Sequence, residues 1–281
     1  MQLTIDRGPD HLSVTVHPAA TADAPFFVIF PAMGVPARYY GPLVEQLTAD
    51  GFGVAVADLR GTGASMPRPT RASRYGMSEL TDDVDAVLAA LAEHRSGRRT
   101  FLLGHSLGGH ACVLHLARKT GRDSGADPGV DGLILIACGL PHWRLFGAKS
   151  LGVLGFAETL RAVTAVTGYW PGWGFGGRQA RGVIQDWAHT ARRGEFATRL
   201  GLADRLSGIR LPVLAVSVDT DQYTPPPTTE LLVGKLTGAQ VTRLHVTTAE
   251  AGAALDHFRW VRSSAAVVER ISTWLPATVT S

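Results

Sequence analysis

The sequence predicts an α/β fold: a mostly parallel central sheet flanked by helices, with an insertion folded over one end. Three observations carry that prediction. Short runs such as Phe26-Phe27-Val28-Ile29-Phe30 are apolar at every position, as strands buried on both faces are. Segments with apolar residues at helical spacing separate these runs, and repeated strand-helix alternation implies a parallel sheet covered on both sides. Finally, a strand, a sharp turn and a helix meet at Gly104-His105-Ser106-Leu107-Gly108, followed at once by Gly109.

Taken in order, Leu12-Ser13-Val14-Thr15-Val16 alternates and reads as an early antiparallel strand. The Phe26–Phe30 run leads into the breaker-rich loop Pro31-Ala32-Met33-Gly34-Val35-Pro36, and a helix is expected from about Ala37 to Asp50. Val54-Ala55-Val56-Ala57 gives the next buried strand and ends in Asp58-Leu59-Arg60-Gly61-Thr62-Gly63-Ala64-Ser65. Leu80, Val84, Leu88 and Leu91 place a helix over about Ser78 to Glu93. The strand Thr100–Leu103, the Ser106 turn and its helix follow, then a buried strand near 130–137.

From about Gly139 to Arg210 the pattern changes to a stretch rich in Trp, Gly and Arg, with only short helical patches such as Gln179 to Ala191. We read residues 1–139 and 209–281 as the core and 140–208 as a cap over the sheet's C-terminal edge, where α/β folds bind ligands. Leu211–Val218 resumes the sheet; a helix over about Thr228 to Leu236, a strand near Val241–Val246 and a last helix over about Ser263 to Leu275 complete it.

Composition narrows the classes of function. The 281 residues, 45% hydrophobic and 18% charged, suit a globular chain with a sizeable core. No apolar run approaches the ~18 residues of a membrane span. The start, Met1-Gln2-Leu3-Thr4-Ile5-Asp6-Arg7, lacks a basic region followed by an apolar one, so a cytoplasmic location is expected by default. Although the formal charge is +3, the arginines are scattered without interleaved aromatics, which argues against nucleic acid. Cys112 and Cys138, the only cysteines, are expected to be reduced and buried.

The chemistry concentrates at the turn. Glycines two residues either side of Ser106 allow strand and helix to pass closely, and the serine projects beside a helix N-terminus whose free N–H groups suit a developing oxyanion. With the strand before it and the helix after it, the Gly-x-Ser-x-Gly pattern is that of a nucleophile elbow.

These motifs together make the chain resemble the α/β-hydrolase superfamily of serine hydrolases over essentially its whole length. Within it, Ala32-Met33-Gly34-Val35-Pro36-Ala37-Arg38-Tyr39-Tyr40 and the Trp-Gly insertion are similar to the capped, esterase-like bacterial branch. The resemblance implies Ser106 as nucleophile, and Asp58–Ser65 matches the superfamily's structural D-x-R-G-x-G-x-S signature. It implies an acid in Asp219-Thr220-Asp221-Gln222-Tyr223-Thr224-Pro225, and Asp221 rather than Asp219, because the acid stands four residues before a proline. It implies His257, within Leu255-Asp256-His257-Phe258, as the base, with Asp256 where the superfamily usually has glycine. The oxyanion donors are expected to be the N–H groups of Leu107 and of Met33, since Pro31 has none to offer. Tyr39, His105, His142, Trp170 and Trp173 are candidates for the substrate pocket; His105, like His110, His115 and His245, also reads as a packing residue.

The function read from this set is cleavage of an ester or other activated acyl bond in a small molecule through an acyl-serine intermediate, with neither metal nor organic cofactor, by a monomer or homodimer. Two alternatives stand beside it: acyl transfer, elimination or cyclisation by the same triad, and a catalytically silent binding protein on the same fold.

Overall fold

A computed structural model describes residues 1–120 and 129–277. Eight strands form one sheet in the order β1-β2-β4-β3-β5-β6-β9-β10. They are β1 Gln2–Arg7, β2 Asp10–His17, β3 Phe26–Phe30, β4 Gly53–Ala57, β5 Thr100–His105, β6 Gly132–Ile136, β9 Pro212–Val218 and β10 Gln240–Val246. The missing numbers, β7 Tyr169–Trp170 and β8 Gln179–Ala180, form a separate two-stranded hairpin. Only β2 runs antiparallel to its sheet neighbours, β1 and β4; every other adjacent pair is parallel.

Alternate residues of the buried strands feed two cores. Val28, Leu102 and Leu135 face a layer built from α2 Met77–Ala90 and α4 Leu107–Lys119. On the opposite face, Phe27, Ile29 and Leu103 pack against α1 Gly41–Ala49 and the terminal α9 Ala265–Ala277. Strand runs that are apolar throughout therefore supply both layers, as period-two geometry requires. Short helices α3 Ala92–Arg95, α7 Pro226–Val233 and α8 Thr248–Ala251 complete the wrapping.

Two elements go beyond the sequence reading. The edge strand β1 pairs Leu3 with Val14 and Ile5 with Leu12, burying a stripe too short and too half-exposed to stand out in the sequence. Between β6 and β9, the segment expected to hold only short helical patches contains an 18-residue helix, α5 Ser150–Thr167. Gly152, Gly155 and six β-branched residues dilute its propensity, and tertiary packing overrides them. Ala157 of α5 packs into Ala188 and Ala191 of α6 Arg181–Arg193, and Gly168 at φ 82° ends α5 in a left-handed cap.

The segment is pinned to the sheet layers through α6. Asp186, buried, accepts the Met77 N–H at 2.9 Å at the start of α2 and pairs with Arg199. A Cβ at Gly182 would lie 2.4 Å from the Tyr75 carbonyl oxygen, so only glycine permits this approach.

Candidate active site

Ser106 stands between β5 and α4 with φ 52° and ψ −116°, a conformation that non-glycine residues seldom adopt. The glycines around it are there for backbone contact. A Cβ on Gly104 would lie 2.3 Å from the Gly109 Cα, and one on Gly108 would lie 2.0 Å from the Phe30 carbonyl oxygen. A Cβ on Gly109 would lie 2.5 Å from the Cys138 sulfur. Cys138 and Cys112 are both free and buried, and burial pushes both thiols well above the ordinary range. The Cys138 S–H points at the Ser106 carbonyl oxygen, 3.2 Å away.

The loops after β9 and before α9 bring an imidazole to a carboxylate. His257 Nδ1 lies 2.9 Å from Asp221 Oδ2 and 3.1 Å from Oδ1. Both residues are buried. The carboxylate also accepts the N–H groups of Tyr223 and Thr224, each at 2.8 Å, and the Thr224 hydroxyl at 2.5 Å. Burial alone would raise the Asp221 pKa, but the His257 contact and the Thr224 donors outweigh it and hold the carboxyl below its ordinary value. Asp219, by contrast, is turned away: it meets His245 Nε2 at 2.9 Å and the Thr248 N–H at 2.7 Å on an exposed edge. Of the two carboxylates in the loop, only Asp221 is given a bond to His257.

The loop after β3 is held from below. Pro31 has no N–H, and the Ala32 N–H is committed to the Tyr40 hydroxyl at 2.9 Å, which leaves the Met33 N–H as the next donor in the loop. Leu107 opens α4, so its N–H has no intrahelical acceptor. Tyr40 Oη also lies 2.7 Å from His105 Nδ1, and the Trp260 indole N–H points at His105 Nε2 from 3.4 Å. Burial, then the neighbouring His257, push the His105 pKa well below its ordinary value.

Ser106, Met33, Leu107 and His257 all line one small chamber. Its remaining wall differs from the expected pocket. His105 is fully buried behind the chamber in the network just described. Tyr39 lies to one side, donating its hydroxyl to the Phe258 carbonyl at 3.0 Å. His142 packs against Gly194, the buried Trp170 donates its indole N–H to the Phe175 carbonyl at 2.8 Å, and Trp173 is 66% exposed at the surface. None of these five lines the chamber. The aromatic wall is instead Phe175, Trp187, Tyr223 and Phe258. Trp170 thus acts one step removed, by holding the strap that presents Phe175. His110, read as a packing residue, also faces the chamber; its Nε2 contacts the Gly139 carbonyl at 2.8 Å and burial lowers its pKa to about 4.

A family model described as serine aminopeptidase, S33, matches residues 24–192, more than half of the chain. The chain belongs to this α/β-hydrolase family. No curated protein matches its sequence. Among solved structures it is similar to a thermophilic esterase from Thermogutta terrifontis, at 17% identity with TM-score 0.64 and all of both chains covered. It is likewise similar to a thioesterase domain from the curacin biosynthetic pathway, at 16% identity and TM-score 0.62, covering 97% of this chain and 99% of that one. A bromoperoxidase from Bacillus anthracis gives 14% identity and TM-score 0.64, with 98% and 100% covered. At these identities the likeness is one of fold, and the three differ in chemistry.

This S33-family α/β hydrolase uses its Asp58–Ser65 signature as a loop clamp. Asp58 accepts the N–H groups of Ala37 at 2.5 Å and Ala64 at 2.8 Å, tying the start of the α1 region to the loop after β4. Arg60 is paired with Asp83 and, at 2.5 Å, with Asp10. Among the described residues, no group of three or more His, Cys, Asp or Glu side chains is placed to hold a metal ion, and no helix is long and apolar enough to cross a membrane.

Proposed function

We propose that this hydrolase cleaves carboxylic ester or similarly activated acyl bonds through an acyl-serine intermediate, with Ser106 as nucleophile, His257 as general base and acid, and Asp221 as the orienting carboxylate. The observation that carries the proposal is the buried Asp221–His257 pair opening onto the same chamber as Ser106 at its strained turn. A serine hydroxyl attacks a carbonyl well only when an imidazole removes its proton, and the imidazole keeps the right tautomer only if a carboxylate holds the other nitrogen. The N–H groups of Met33 and Leu107 are assigned to the oxyanion, and residues 140–208 to a cap that supplies part of the chamber wall. Labelling by a fluorophosphonate that is lost in Ser106→Ala is the direct test, and an unlabelled wild-type protein would count against the acyl-serine step.

The Ala32–Tyr40–His105–Trp260 network supports the oxyanion loop in this reading, which gives a prediction. Tyr40→Phe removes the acceptor for the Ala32 N–H and the hydrogen-bond partner of His105 Nδ1, leaving buried polar groups unpaired at a cost of about 1–3 kcal/mol in stability. The Met33 donor is displaced rather than deleted, so kcat is expected to fall by roughly tenfold, less than the ~10²-fold or more for a lost donor, with KM nearly unchanged. Steady-state kinetics beside urea unfolding check both halves.

A further inference from the structure

The chamber at Ser106 is small, about 40 Å³. One water centre needs roughly 10–15 Å³, so this space admits a reacting carbonyl and little else. Two larger clefts adjoin its aromatic wall and differ in character. One, about 440 Å³, is a mainly apolar groove under α5 bounded by Phe146, Val153 and Phe156, with Lys149 and Gln222 at its edge, and it shares Phe175, Trp187 and Tyr223 with the chamber. The other, about 510 Å³, is lined by Thr220, Gln222 and Asp256 and shares Tyr223, Phe258 and His257. Tyr223 borders all three spaces, 44% exposed, with its ring stacked on Phe175.

His257 distinguishes the two clefts. Its Nδ1 is held by Asp221, so the nitrogen that exchanges protons with substrate is Nε2. In acylation the Ser106 Oγ–carbon bond forms, the Ser106 proton passes to Nε2, the bond from carbon to the leaving oxygen breaks, and that oxygen takes the proton from Nε2. Deacylation reverses the order with water as nucleophile: its proton goes to Nε2, its oxygen bonds the acyl carbon, and Ser106 recovers the proton. Of the two clefts, only the polar one shares His257 with the chamber, which puts the leaving group on that side. The apolar groove, which His257 does not line, is left for the acyl part.

We propose that the enzyme takes esters of an unbranched aliphatic acid with a short polar alcohol, the alkyl chain passing Phe175 and Tyr223 into the groove beneath α5 and the alcohol leaving past Asp256. This rests on the acyl-serine reading and adds the substrate class. The leaving-group cleft is edged by the Thr220 hydroxyl, which donates to the Leu255 carbonyl, by Gln222, whose amide oxygen accepts from Lys149 Nζ at 2.8 Å, and by the Asp256 carboxylate, which accepts the Phe258 and Arg259 N–H groups at 2.8 and 2.7 Å and lies 3.3 Å from Arg259 Nε; a polar alcohol can share these groups, whereas a long alkyl alcohol would cut them off from water.

The test uses the full-length protein and two ester series. With a constant p-nitrophenol leaving group, kcat/KM is expected to rise at least tenfold from acetate to octanoate, because each fully buried methylene is worth about fourfold. With a constant butanoyl group, 2-hydroxyethyl butanoate is expected to exceed hexyl butanoate. Gly152→Trp fills the groove from a position where a Cβ meets nothing within 4 Å, and Val153→Trp fills it from the next residue. Both variants, if folded as judged by circular dichroism, are expected to abolish the octanoate preference, lowering kcat/KM for octanoate at least tenfold and for acetate by less. A flat acyl profile, a preference that grows with alcohol length instead, or an octanoate preference intact in both folded variants overturns the assignment while Ser106-dependent acetate turnover keeps the acyl-serine reading. Absence of turnover on every ester together with absence of fluorophosphonate labelling overturns both.

Discussion

Ser106→Ala is expected to lower kcat by at least about 10⁴-fold and to leave the fold intact. The expectation for folding is as specific as that for rate. Every bond given to Ser106 is made by its backbone: its N–H donates to the Ile136 carbonyl at 3.3 Å, and its carbonyl accepts the His110 N–H at 3.2 Å and the Cys138 S–H at 3.2 Å. Alanine keeps all three. It also keeps a Cβ at φ 52°, so the turn carries the same strain in both proteins, and the close passage of β5 and α4 is secured by Gly104, Gly108 and Gly109. Urea unfolding midpoints should therefore agree closely, while turnover and fluorophosphonate labelling disappear. Gly108→Ala is the opposite case: its Cβ would strike the Phe30 carbonyl oxygen, so folding and the loop after β3 should both suffer. Turnover near the wild-type rate in Ser106→Ala would remove the acyl-serine mechanism.

The contrast between those two substitutions also shows why some of the protein is legible in its sequence and some is not. Steric demands of the backbone leave strong marks: the Gly-x-Ser-x-Gly-Gly run, the apolar strands buried on both faces, and the proline that follows Asp221 are each tied to one local geometry. A pocket wall leaves weaker marks, since it depends on which face of a loop turns inward. Trp170 and Trp173 stand out in the sequence, yet one is spent holding the Phe175 carbonyl and the other lies at the surface. Phe175 and Tyr223 carry no signal of their own and reach the wall because a glycine-rich strap and the loop after β9 aim them there. The strap can lie so low only because Gly34 and Gly176 meet: a Cβ on Gly34 would sit 2.2 Å from the Gly176 oxygen, and one on Gly176 would sit 2.5 Å from the Met33 sulfur. That contact couples the insertion to the loop after β3 across 142 positions of sequence, from 34 to 176, and no local pattern announces it. For α5 the reason is different, since its glycines and β-branched residues argue against a helix that packing on α6 nevertheless enforces.

The second large effect concerns the acid. Asp221→Asn is expected to lower kcat by about 10⁴-fold, and Asp219→Asn by far less. Asparagine is nearly isosteric, and its carbonyl oxygen can still accept the Tyr223 and Thr224 N–H groups that shape the loop. Its amide, though, carries no charge to stabilise an imidazolium, and its NH₂ can donate to His257 Nδ1, favouring the tautomer with the proton on Nε2, which cannot then act as base toward Ser106. Asp219 meets none of these groups; losing its charge affects an exposed contact with His245 and the Thr248 N–H. A pH titration of stability separates the two roles of Asp221. Its folded pKa lies below the unfolded value, so it stabilises the fold above about pH 4, the ordinary aspartate range, and that contribution is lost as pH falls through the depressed value. Wild-type protein should therefore lose stability on acidification below about pH 4 more steeply than Asp221→Asn, which has no proton to take up there. A larger loss of turnover in Asp219→Asn than in Asp221→Asn would move the acid to the strand end at Asp219 and leave the buried His257 contact without a catalytic role, whereas equal acid limbs would count against a depressed Asp221 pKa in the fold.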